Sequence, residues 1–234
     1  MVHRPVGETI RVGGLEKLSM VDWPGELAAV VFCQGCAWRC AYCHNPHLIP
    51  FTSPETPISW RAIARWLETR RGLLDAVVFS GGEPTLQPGL ADAMSEARDL
   101  GFRIGLHTAG PSPEQLACAL PFADWVGFDF KAPFDRYLRV TGHDQGARAQ
   151  ESLRLLRAQP IESEVRTTWH PRLLTVDHLV EMATMLVAEG CDEWVLQRFR
   201  ANGSDDPELA AEPVGTLPLA QLRERVPALR VIAR

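Results

Sequence analysis

Four of the six cysteines of this chain lie close together, at positions 33, 36, 40 and 43. Thiolates bind soft metals, exchange disulfides and ligate iron–sulfur clusters, so the spacing of these residues separates several kinds of chemistry. Cys36, Cys40 and Cys43 form a C-x3-C-x2-C motif, in which three thiols can hold three corners of a four-iron cube. Because Cys118 and Cys191 are isolated in the sequence, the motif predicts a cluster with one iron open to a substrate or cofactor.

Other interpretations of the same cysteines stay open at this point. Structural zinc sites usually have four protein ligands, and His44 or His47 would complete such a set. A ferredoxin-type carrier also needs a fourth cysteine. Cys33 is a spare candidate for that position, although a buried thiol at the end of a strand is the simpler interpretation. A disulfide framework is disfavoured, because 234 residues with 46% hydrophobic content can form a core without one.

The composition excludes several classes of protein. The formal net charge is −5, whereas a duplex-binding protein usually carries a basic stripe that neutralises phosphates. No apolar stretch reaches the roughly 18–20 residues of a membrane span, and the opening segment MVHRPVGETIRVGG contains no apolar run typical of a secretory signal. We therefore expect a cytoplasmic protein with reduced thiols that binds neither nucleic acid nor membrane.

The elements that must position the cysteines alternate along the chain. Short apolar runs predict strands at Leu27–Phe32, Ala76–Phe79, Phe102–Leu106, Trp125–Phe130, Glu164–Thr168 and Glu193–Gln197. Amphipathic segments predict helices at Ser59–Arg71, Gly89–Leu100, Pro113–Leu120, Gln150–Gln159 and Val176–Glu189. This alternation is typical of a parallel sheet with crossover helices, and about six units are too few for a closed eight-unit barrel. The predicted fold class is therefore α/β, as a partial (β/α)6 barrel.

The domain organisation is expected to be simple. We predict one domain over residues 1–234, in which residues 1–26 form a hairpin-like lead-in closed by a turn at Trp23-Pro24-Gly25. Residues 27–200 would form the partial barrel, and residues 201–234 a C-terminal extension with a short helix near Leu219–Arg225 and a last strand. Cys118 is expected on the apolar face of its helix.

Glycine and polar residues follow the ends of successive predicted strands. The cysteine cluster begins where the first strand ends, and the next three strands are followed by Gly81-Gly82-Glu83-Pro84, His107-Thr108 and Asp129-Phe130-Lys131. Because ligands of parallel sheets bind at the carboxyl ends of the strands, these groups predict one common site.

Five segments of the chain form a recognisable ordered set between about Gly14 and about Arg200. They are KLSMVDWPGELAAVVFCQGCAWRCAYCHNP, FSGGEPTLQ, FDFKAP, RTTWHP and VLQRFR. The first resembles the cysteine motif of the radical S-adenosylmethionine superfamily. The whole set resembles, more narrowly, the activating proteins of anaerobic ribonucleoside-triphosphate reductase.

The resemblance implies a 4Fe–4S cluster held by Cys36, Cys40 and Cys43 and a partial barrel of the radical S-adenosylmethionine type. The amino and carboxylate groups of S-adenosylmethionine would chelate the open iron, and an electron from the cluster would release a 5′-deoxyadenosyl radical. That radical would remove a hydrogen atom from a glycine of the partner reductase. The implied electron donor is of the flavodoxin or ferredoxin type, and no catalytic residue is expected beyond the cluster and the cofactor.

The resemblance also implies how S-adenosylmethionine is bound. Gly81 and Gly82 would let the backbone come close to the ligand, and Glu83 would accept hydrogen bonds from the methionyl ammonium group. In the turn LHTAG, related activating proteins often have an acidic residue and an Asn, where this chain has His107 and Ala109. That departure puts in question any acid-dependent contact there, including a cation site, while Thr108 remains a hydrogen-bond donor. The residues that would border the adenine are Tyr42, His44 and Asn45.

Further candidates lie on the later strands. Asp129 and Lys131 alternate with Phe130, so their side chains share one side of the strand end. They would meet the cofactor carboxylate or the incoming peptide, or else form an ion pair with each other. Arg166 would be costly to bury unpaired, so a carboxylate of the cofactor is its expected partner. Additional candidates are Gln197, for the adenosine end, and His170.

Two other functions remain as alternatives. The same cysteines would serve a radical enzyme that modifies a small, nucleoside-like molecule. An iron–sulfur carrier or a zinc-stabilised binding module would use them without any cleavage of S-adenosylmethionine. The compact chain favours a protein substrate, because little sequence remains to form a dedicated substrate domain.

Overall fold

A computed structural model describes residues 10–52 and 58–234 of the chain. This part divides into two compact units. The first unit contains described residues 10–37, 47–52, 58–108 and 114–127, and the second contains residues 38–46, 109–113 and 128–234. Among these residues, no helix is both long and apolar enough to cross a membrane.

Eight strands form one sheet whose spatial order follows the order of the chain. Their bounds are β1 Val12–Ser19, β2 Ala28–Cys33, β3 Ala76–Gly81, β4 Arg103–Thr108, β5 Trp125–Asp129, β6 Glu162–Trp169, β7 Glu193–Arg198 and β8 Arg230–Ala233. All six predicted core strands are present, with ends that differ by at most two residues. The prediction of an α/β fold built on a mostly parallel sheet is therefore confirmed.

The lead-in contributes an antiparallel strand. In the first unit β1 pairs with β2 in the opposite direction, and β2, β3 and β4 then run parallel to one another. The register sets Cys33, the last residue of β2, opposite Gly81, the last residue of β3. In the second unit β6, β7 and β8 also run parallel.

The helices lie between the parallel strands. They are α1 Trp60–Glu68, α2 Leu90–Asp99, α3 Pro113–Ala119, α4 Tyr137–Thr141, α5 Gly146–Arg157, α6 Val176–Ala188, α7 Pro207–Ala211 and α8 Leu219–Arg225. The predicted helix near Leu219–Arg225 and the last strand are both confirmed, whereas the short α4 and α7 are additional. Helix α6 begins with a capping box, in which Thr175 and His178 bond each other's backbone N–H groups.

One prediction about a helix face is wrong. Helix α3 buries Leu116 and Ala119, which are three residues apart and share one face of the helix. Cys118 lies outside that stripe and is exposed, so it does not lie on the apolar face. Cys191 is buried, as expected for a structural thiol.

The core of the first unit lies against one face of its strands. Trp23 packs on Ala28 and Val30 of β2 and on Val78 of β3, and its ring stacks on Trp125 at 5.5 Å between centroids. Trp23 is only 2% exposed, because the turn that contains it folds back over the strands. The segment between β1 and β2 thus adds an aromatic side chain to the core as well as reversing the chain.

The second unit has an aromatic cluster beside its cysteine segment. Phe130 meets Phe134 at a tilt, Phe134 stacks on Tyr137, and Trp38 meets Tyr137 edge-on at 5.6 Å. The Trp38 indole N–H also donates to the Gln145 side chain at 2.8 Å, which satisfies a buried donor. This packing holds the chain just before Cys40 against α4.

Candidate functional site

The glycine loop after β3 packs against the chain that follows β2. The backbone N–H groups of Gly82 and Glu83 donate to the carbonyls of Cys33 and Gly35, both at 2.9 Å. Gly81 has a φ of +109°, and a Cβ atom there would lie 2.5 Å from the backbone nitrogen of Cys33. A Cβ on Gly82 would lie 2.4 Å from the carbonyl oxygen of Gly35. Both glycines are therefore required by backbone packing, independently of any ligand.

Glu83 is a buried carboxylate with an ordered set of hydrogen-bond donors. It is 2% exposed, and its Oε1 atom accepts hydrogen bonds from the hydroxyls of Thr108 at 2.6 Å and Thr85 at 2.7 Å. The backbone N–H of Thr85 also donates to Oε1 at 3.1 Å, so Glu83 caps the short 3-10 helix Pro84–Leu86. The structure thus places the side chains of Glu83 and Thr108 in contact, as expected for residues of one site. Thr85, which was not predicted as a site residue, contacts the same carboxylate.

His107 has a structural role in the first unit. Its Nε2 atom lies 2.7 Å from the carbonyl oxygen of Asp22, and its Nδ1 atom lies 3.1 Å from the hydroxyl of Ser80. A carbonyl only accepts, so Nε2 carries the proton and donates it to Asp22. The residue that replaces the family's acidic side chain therefore connects β3 and β4 to the turn that contains Trp23.

The cysteines differ in accessibility. Cys33 is fully buried at the end of β2, and burial raises the pKa of its thiol, which confirms the interpretation of a strand-end thiol. Cys36, in the first unit, is half-buried, as are Cys40 and Cys43 in the second. None of the six cysteines forms a disulfide, and all lie in the described part of the chain. The three residues of the motif are thus partly exposed, whereas Cys33 is not.

Cys40 lies in a segment that is paired with α4. The N–H groups of its two neighbours, Arg39 and Ala41, donate to the carbonyls of Thr141 and Val140 at 2.8 and 3.0 Å. Burial raises the pKa of the Cys40 thiol to about 11, although the nearby Lys131 ammonium opposes that change. The thiol is therefore protonated at neutral pH in the apoprotein, and binding of a metal by Cys40 would release that proton.

Asp129, Lys131 and Arg166 form a compact charged group at the ends of β5 and β6. Asp129 Oδ1 accepts from the Arg166 Nε atom at 2.5 Å, and Oδ2 accepts from the Lys131 ammonium at 3.1 Å. The two cationic side chains are only 12% and 14% exposed. Arg166 thus has a carboxylate partner within the protein, whereas the sequence led us to expect one from the cofactor.

The charge balance of this group affects Lys131. Burial lowers the pKa of Lys131, but the Asp129 carboxylate, with its hydrogen bond to the ammonium, and the nearby Tyr42 and Cys40 together hold the pKa well above its ordinary value. Lys131 and Arg166 are both cationic and lie in a poorly hydrated place. A ligand carboxylate has the charge and hydrogen-bonding chemistry to approach such side chains.

Tyr42 is buried beneath this charged group. The Lys131 ammonium lies 5.4 Å from the centroid of the Tyr42 ring, a cation–π contact. The Tyr42 hydroxyl is buried and finds no hydrogen-bond partner among the described residues. Burial also raises the pKa of that hydroxyl.

His44 is held by the segment that follows β7. Its Nε2 atom lies 3.0 Å from the carbonyl oxygen of Arg200, and its ring stacks on Phe199 at 5.6 Å. Burial lowers the pKa of His44, with the Arg200 carbonyl acting in the opposite direction. His170 meets the same Phe199 ring edge-on, and its buried Nε2 finds no hydrogen-bond partner in the described part of the chain. The other two candidates, Asn45 and Gln197, are half-buried.

The site residues therefore assemble into two local groups, one in each unit. The first contains Glu83 and Thr108, and the second contains Asp129, Lys131 and Arg166 over Tyr42. Over residues 10–52 and 58–234, no three His, Cys, Asp or Glu side chains are arranged to hold a single metal ion. An α/β chain with three closely spaced cysteines is of a class that can ligate an iron–sulfur cluster, and its buried cationic side chains suit a ligand that carries a carboxylate.

Comparison with known protein families identifies this class. The profile of the Radical SAM superfamily matches residues 30–186, more than half of the chain. The chain belongs to the radical S-adenosylmethionine superfamily, and the predicted family is confirmed. Enzymes of this superfamily use a 4Fe–4S cluster and S-adenosylmethionine, so the cofactor prediction is confirmed as well.

The similar curated proteins are named as activating enzymes. A protein of Methanocaldococcus jannaschii named as a glycyl-radical enzyme activating enzyme is 28% identical over 227 residues, which are 87% of this chain and 85% of that protein. The pyruvate formate-lyase-activating enzyme of Clostridium pasteurianum is 33% identical over 139 residues. The chain spans 57% of the length of that second relative.

Solved structures show the same fold. QueE from Escherichia coli superposes with a TM-score of 0.57 and 17% identity, over 98% of this chain and 96% of that one. SuiB from Streptococcus suis bound to S-adenosylmethionine superposes with a TM-score of 0.63 and 13% identity, over 86% of this chain and 48% of that one.

The residues present fit the cofactors of the family. Cys36, Cys40 and Cys43 form no disulfide and are partly exposed, and thiols have the chemistry that ligates an iron–sulfur cluster. The largely buried cationic side chains of Lys131 and Arg166 suit a carboxylate. The buried Tyr42 hydroxyl can donate a hydrogen bond, and no acceptor for it lies among the described residues.

Proposed function

We propose that this chain generates a glycyl radical on an anaerobic ribonucleoside-triphosphate reductase. The observation that carries this proposal is the similarity to a named glycyl-radical enzyme activating enzyme, which extends over 87% of this chain and 85% of that protein. The ordered set of five segments supports the reductase as the target, since it resembles the activating proteins of that enzyme.

Cys36, Cys40 and Cys43 would hold the 4Fe–4S cluster and leave one iron without a protein ligand. When bound, that cluster would supply the electron for reductive cleavage of S-adenosylmethionine, and the radical so released would remove a hydrogen atom from the target glycine. The burial of Cys33 supports a set of three protein ligands, because its thiol lies fully inside the strand pair.

The remaining site residues would bind and orient S-adenosylmethionine. Glu83, which Thr85 and Thr108 hold in place, would accept hydrogen bonds from the methionyl ammonium group. Lys131 and Arg166 would attract the methionyl carboxylate, with Asp129 keeping both cations in position. The residues proposed to border the adenosine are Tyr42, His44, Asn45 and Gln197, and the loop proposed to pass close to the methionyl end contains Gly81 and Gly82.

The proposed partners are the glycyl-radical subunit of the reductase and an electron donor of the flavodoxin or ferredoxin type. We also propose a cytoplasmic location, where thiols stay reduced. The lack of a disulfide at any of the six cysteines, all of which lie among the described residues, agrees with that location. Residues 1–234 would act as one radical S-adenosylmethionine domain, with a lead-in over 1–26, a barrel core over 27–200 and an extension over 201–234.

The test is anaerobic reconstitution with iron and sulfide, followed by electron paramagnetic resonance with S-adenosylmethionine, a reductant and the candidate reductase. We expect a four-iron signal that changes on adding S-adenosylmethionine, and a glycyl-radical signal on the reductase. A glycyl radical on a pyruvate formate-lyase but not on the reductase would replace the proposed target. Turnover of a free nucleoside-like metabolite, with no radical on any protein, would instead favour a small-molecule enzyme.

A further inference from the structure

Gln34 is a buried amide that lies two residues before the first cysteine of the motif. It is 5% exposed, and both hydrogens of its side-chain nitrogen are used. The Nε2 atom donates to the carbonyl of His47 at 3.1 Å and to the carbonyl of Pro50 at 2.6 Å. Glutamine is mostly exposed in proteins, and a buried amide with both donors bonded fixes its neighbours in one arrangement.

The backbone around Cys36 is bonded to the same segment, residues 47–50. The N–H of Gly35 donates to the carbonyl of Leu48 at 2.7 Å, and the N–H of Cys36 donates to the carbonyl of Ile49 at 2.9 Å. Together with the two bonds from the amide, these bonds engage all four consecutive carbonyls of the segment. The chain that enters the cysteine motif and the chain that leaves it are therefore held together.

Gln87 fixes the backbone of Gln34 through a closed ring of hydrogen bonds. Gln87 is 2% exposed and follows the short 3-10 helix Pro84–Leu86. Its Nε2 atom donates to the Gln34 carbonyl at 2.7 Å, and its Oε1 atom accepts from the Arg11 N–H at 3.1 Å. The N–H of Gln34 completes the ring by donating to the Arg11 carbonyl at 2.9 Å. A buried network of this kind rigidifies the groups that it joins.

We propose that Gln34 and Gln87, which we call the amide pair, are positioning residues for the iron–sulfur cluster. They would hold the backbone of Cys36 in the apoprotein, so that less ordering is needed when its thiol ligates iron. This proposal rests on the proposed function, because it assumes that Cys36 is a cluster ligand. The amide pair would act through the backbone, since Gln34 bonds the segment 47–50 and that segment accepts the N–H of Cys36.

The test compares the loss of buried hydrogen bonds in the amide pair with a similar loss elsewhere. The main variant is Gln34→Met, which keeps nearly the same side-chain length and removes the amide, and Gln87→Met is the second. The matched control is Ser152→Ala in α5, because Ser152 is fully buried and its hydroxyl donates to the Gly110 carbonyl at 2.9 Å. All three variants lose buried hydrogen bonds, so each should lower the Tm of the apoprotein.

Two measurements separate positioning from general stability. The first is hydrogen exchange of the Gly35 and Cys36 amides in the apoprotein, resolved by mass spectrometry. The second is the rate at which the reconstituted protein loses iron to an excess of chelator, without oxygen, at a temperature where every variant is folded. Neither measurement uses S-adenosylmethionine or the reductase, so a failure of the proposed reaction would not alter them.

In Gln34→Met we expect both amides to exchange at least about tenfold faster, since two carbonyls of the segment 47–50 lose their donor. Iron loss should also be at least about tenfold faster, because substitutions outside the ligand shell typically weaken metal sites by about that factor or more. Gln87→Met keeps the bonds to the segment and should show the same two changes with smaller size. Ser152→Ala should match the unaltered protein in both measurements.

Three results would overturn the proposal. Unchanged exchange in Gln34→Met would mean that the amide pair does not hold this backbone, and faster exchange with unchanged iron loss would mean that the held backbone does not serve the cluster. Equal acceleration of iron loss in Ser152→Ala would assign the effect to general stability. If Gln34→Met does not fold, Gln87→Met decides the same comparison. If even the unaltered protein forms no four-iron cluster, the ligand set of the proposed function fails together with this proposal, and that result is distinct from the other three.

Discussion

Asp129 contacts both Lys131 and Arg166, and Asp129→Asn removes its charge while keeping nearly the same shape. The contacts are 3.1 Å to Lys131 and 2.5 Å to Arg166, and these two cationic side chains are 14% and 12% exposed. The variant therefore leaves two adjacent cations in a poorly hydrated place without the carboxylate that joins them. The predicted consequence is a marked loss of stability in the apoprotein.

The magnitude follows from burial. Removing one partner of a buried ion pair typically costs 3–5 kcal/mol, because the other charge stays buried. The Asp129 side chain is 29% exposed, so water offsets part of this loss, and we expect about 3 kcal/mol. For a chain of this length, that corresponds to a fall of about 6–12 °C in Tm.

The assay is thermal unfolding of the apoprotein, followed by circular dichroism. The matched control is Asp135→Asn, which weakens a surface pair with Arg136 at 3.7 Å and should cost about 0.5 kcal/mol or less. Adding Lys131→Met to Asp129→Asn should restore at least about 1 kcal/mol, since it removes one of the uncompensated cations. Equal Tm values for Asp129→Asn and Asp135→Asn, or no recovery in the double variant, would refute the reasoning.

The other predictions concern the cluster, the cofactor and pH. Cys40→Ala should abolish both the four-iron signal and cleavage of S-adenosylmethionine, whereas the exposed Cys118→Ala should keep both; full cleavage in Cys40→Ala would end the ligand assignment. Glu83→Ala should raise the Kd for S-adenosylmethionine about 10- to 100-fold with the cluster intact, as measured by anaerobic calorimetry; an unchanged Kd would remove Glu83 from the amine contact. Asp129 raises the pKa of Lys131 in the folded protein. The stabilisation from this ion pair is therefore fully present below pH 10.5, the ordinary pKa of lysine, and is lost as pH rises through the pKa of Lys131 in the folded protein. In Asp129→Asn, burial instead depresses that pKa, so urea midpoints should rise between about pH 8 and pH 10; a flat profile in this variant would contradict the prediction.

The strands and long helices were predictable because their patterns are local. Helix α1 buries Trp60, Ile63, Ala64 and Leu67, a spacing that is visible in the sequence alone. Helix α4 was missed because five residues are too short for a periodic pattern, and two of them, Val140 and Thr141, are β-branched. Helix α7 had a usable signal in Asp206, which caps it, followed by Pro207 in its first turn.

The partners of the site residues were harder to predict. Thr85 lies two residues after Glu83, and a carboxylate just before a proline is a local signal for a helix cap. The contact between Glu83 and Thr85 could therefore have been predicted from the sequence. The Thr108 contact joins the ends of two strands, and the Arg166 contact joins residues 37 positions apart. Such pairs depend on strand register, which many distant packing contacts determine together.

The amino-acid sequence alone determined the cysteine motif, the order of the strands and helices, and the family. These depend on spacing along one segment or on the succession of local patterns, which covalent connectivity preserves whatever the fold. Only the tertiary structure decided that Cys33 is buried, that Gly81 and Gly82 are required by a neighbouring backbone, and that Asp129 neutralises Arg166. Burial and charge pairing arise between segments far apart in the chain, and their free energy exists only once those segments have been brought together.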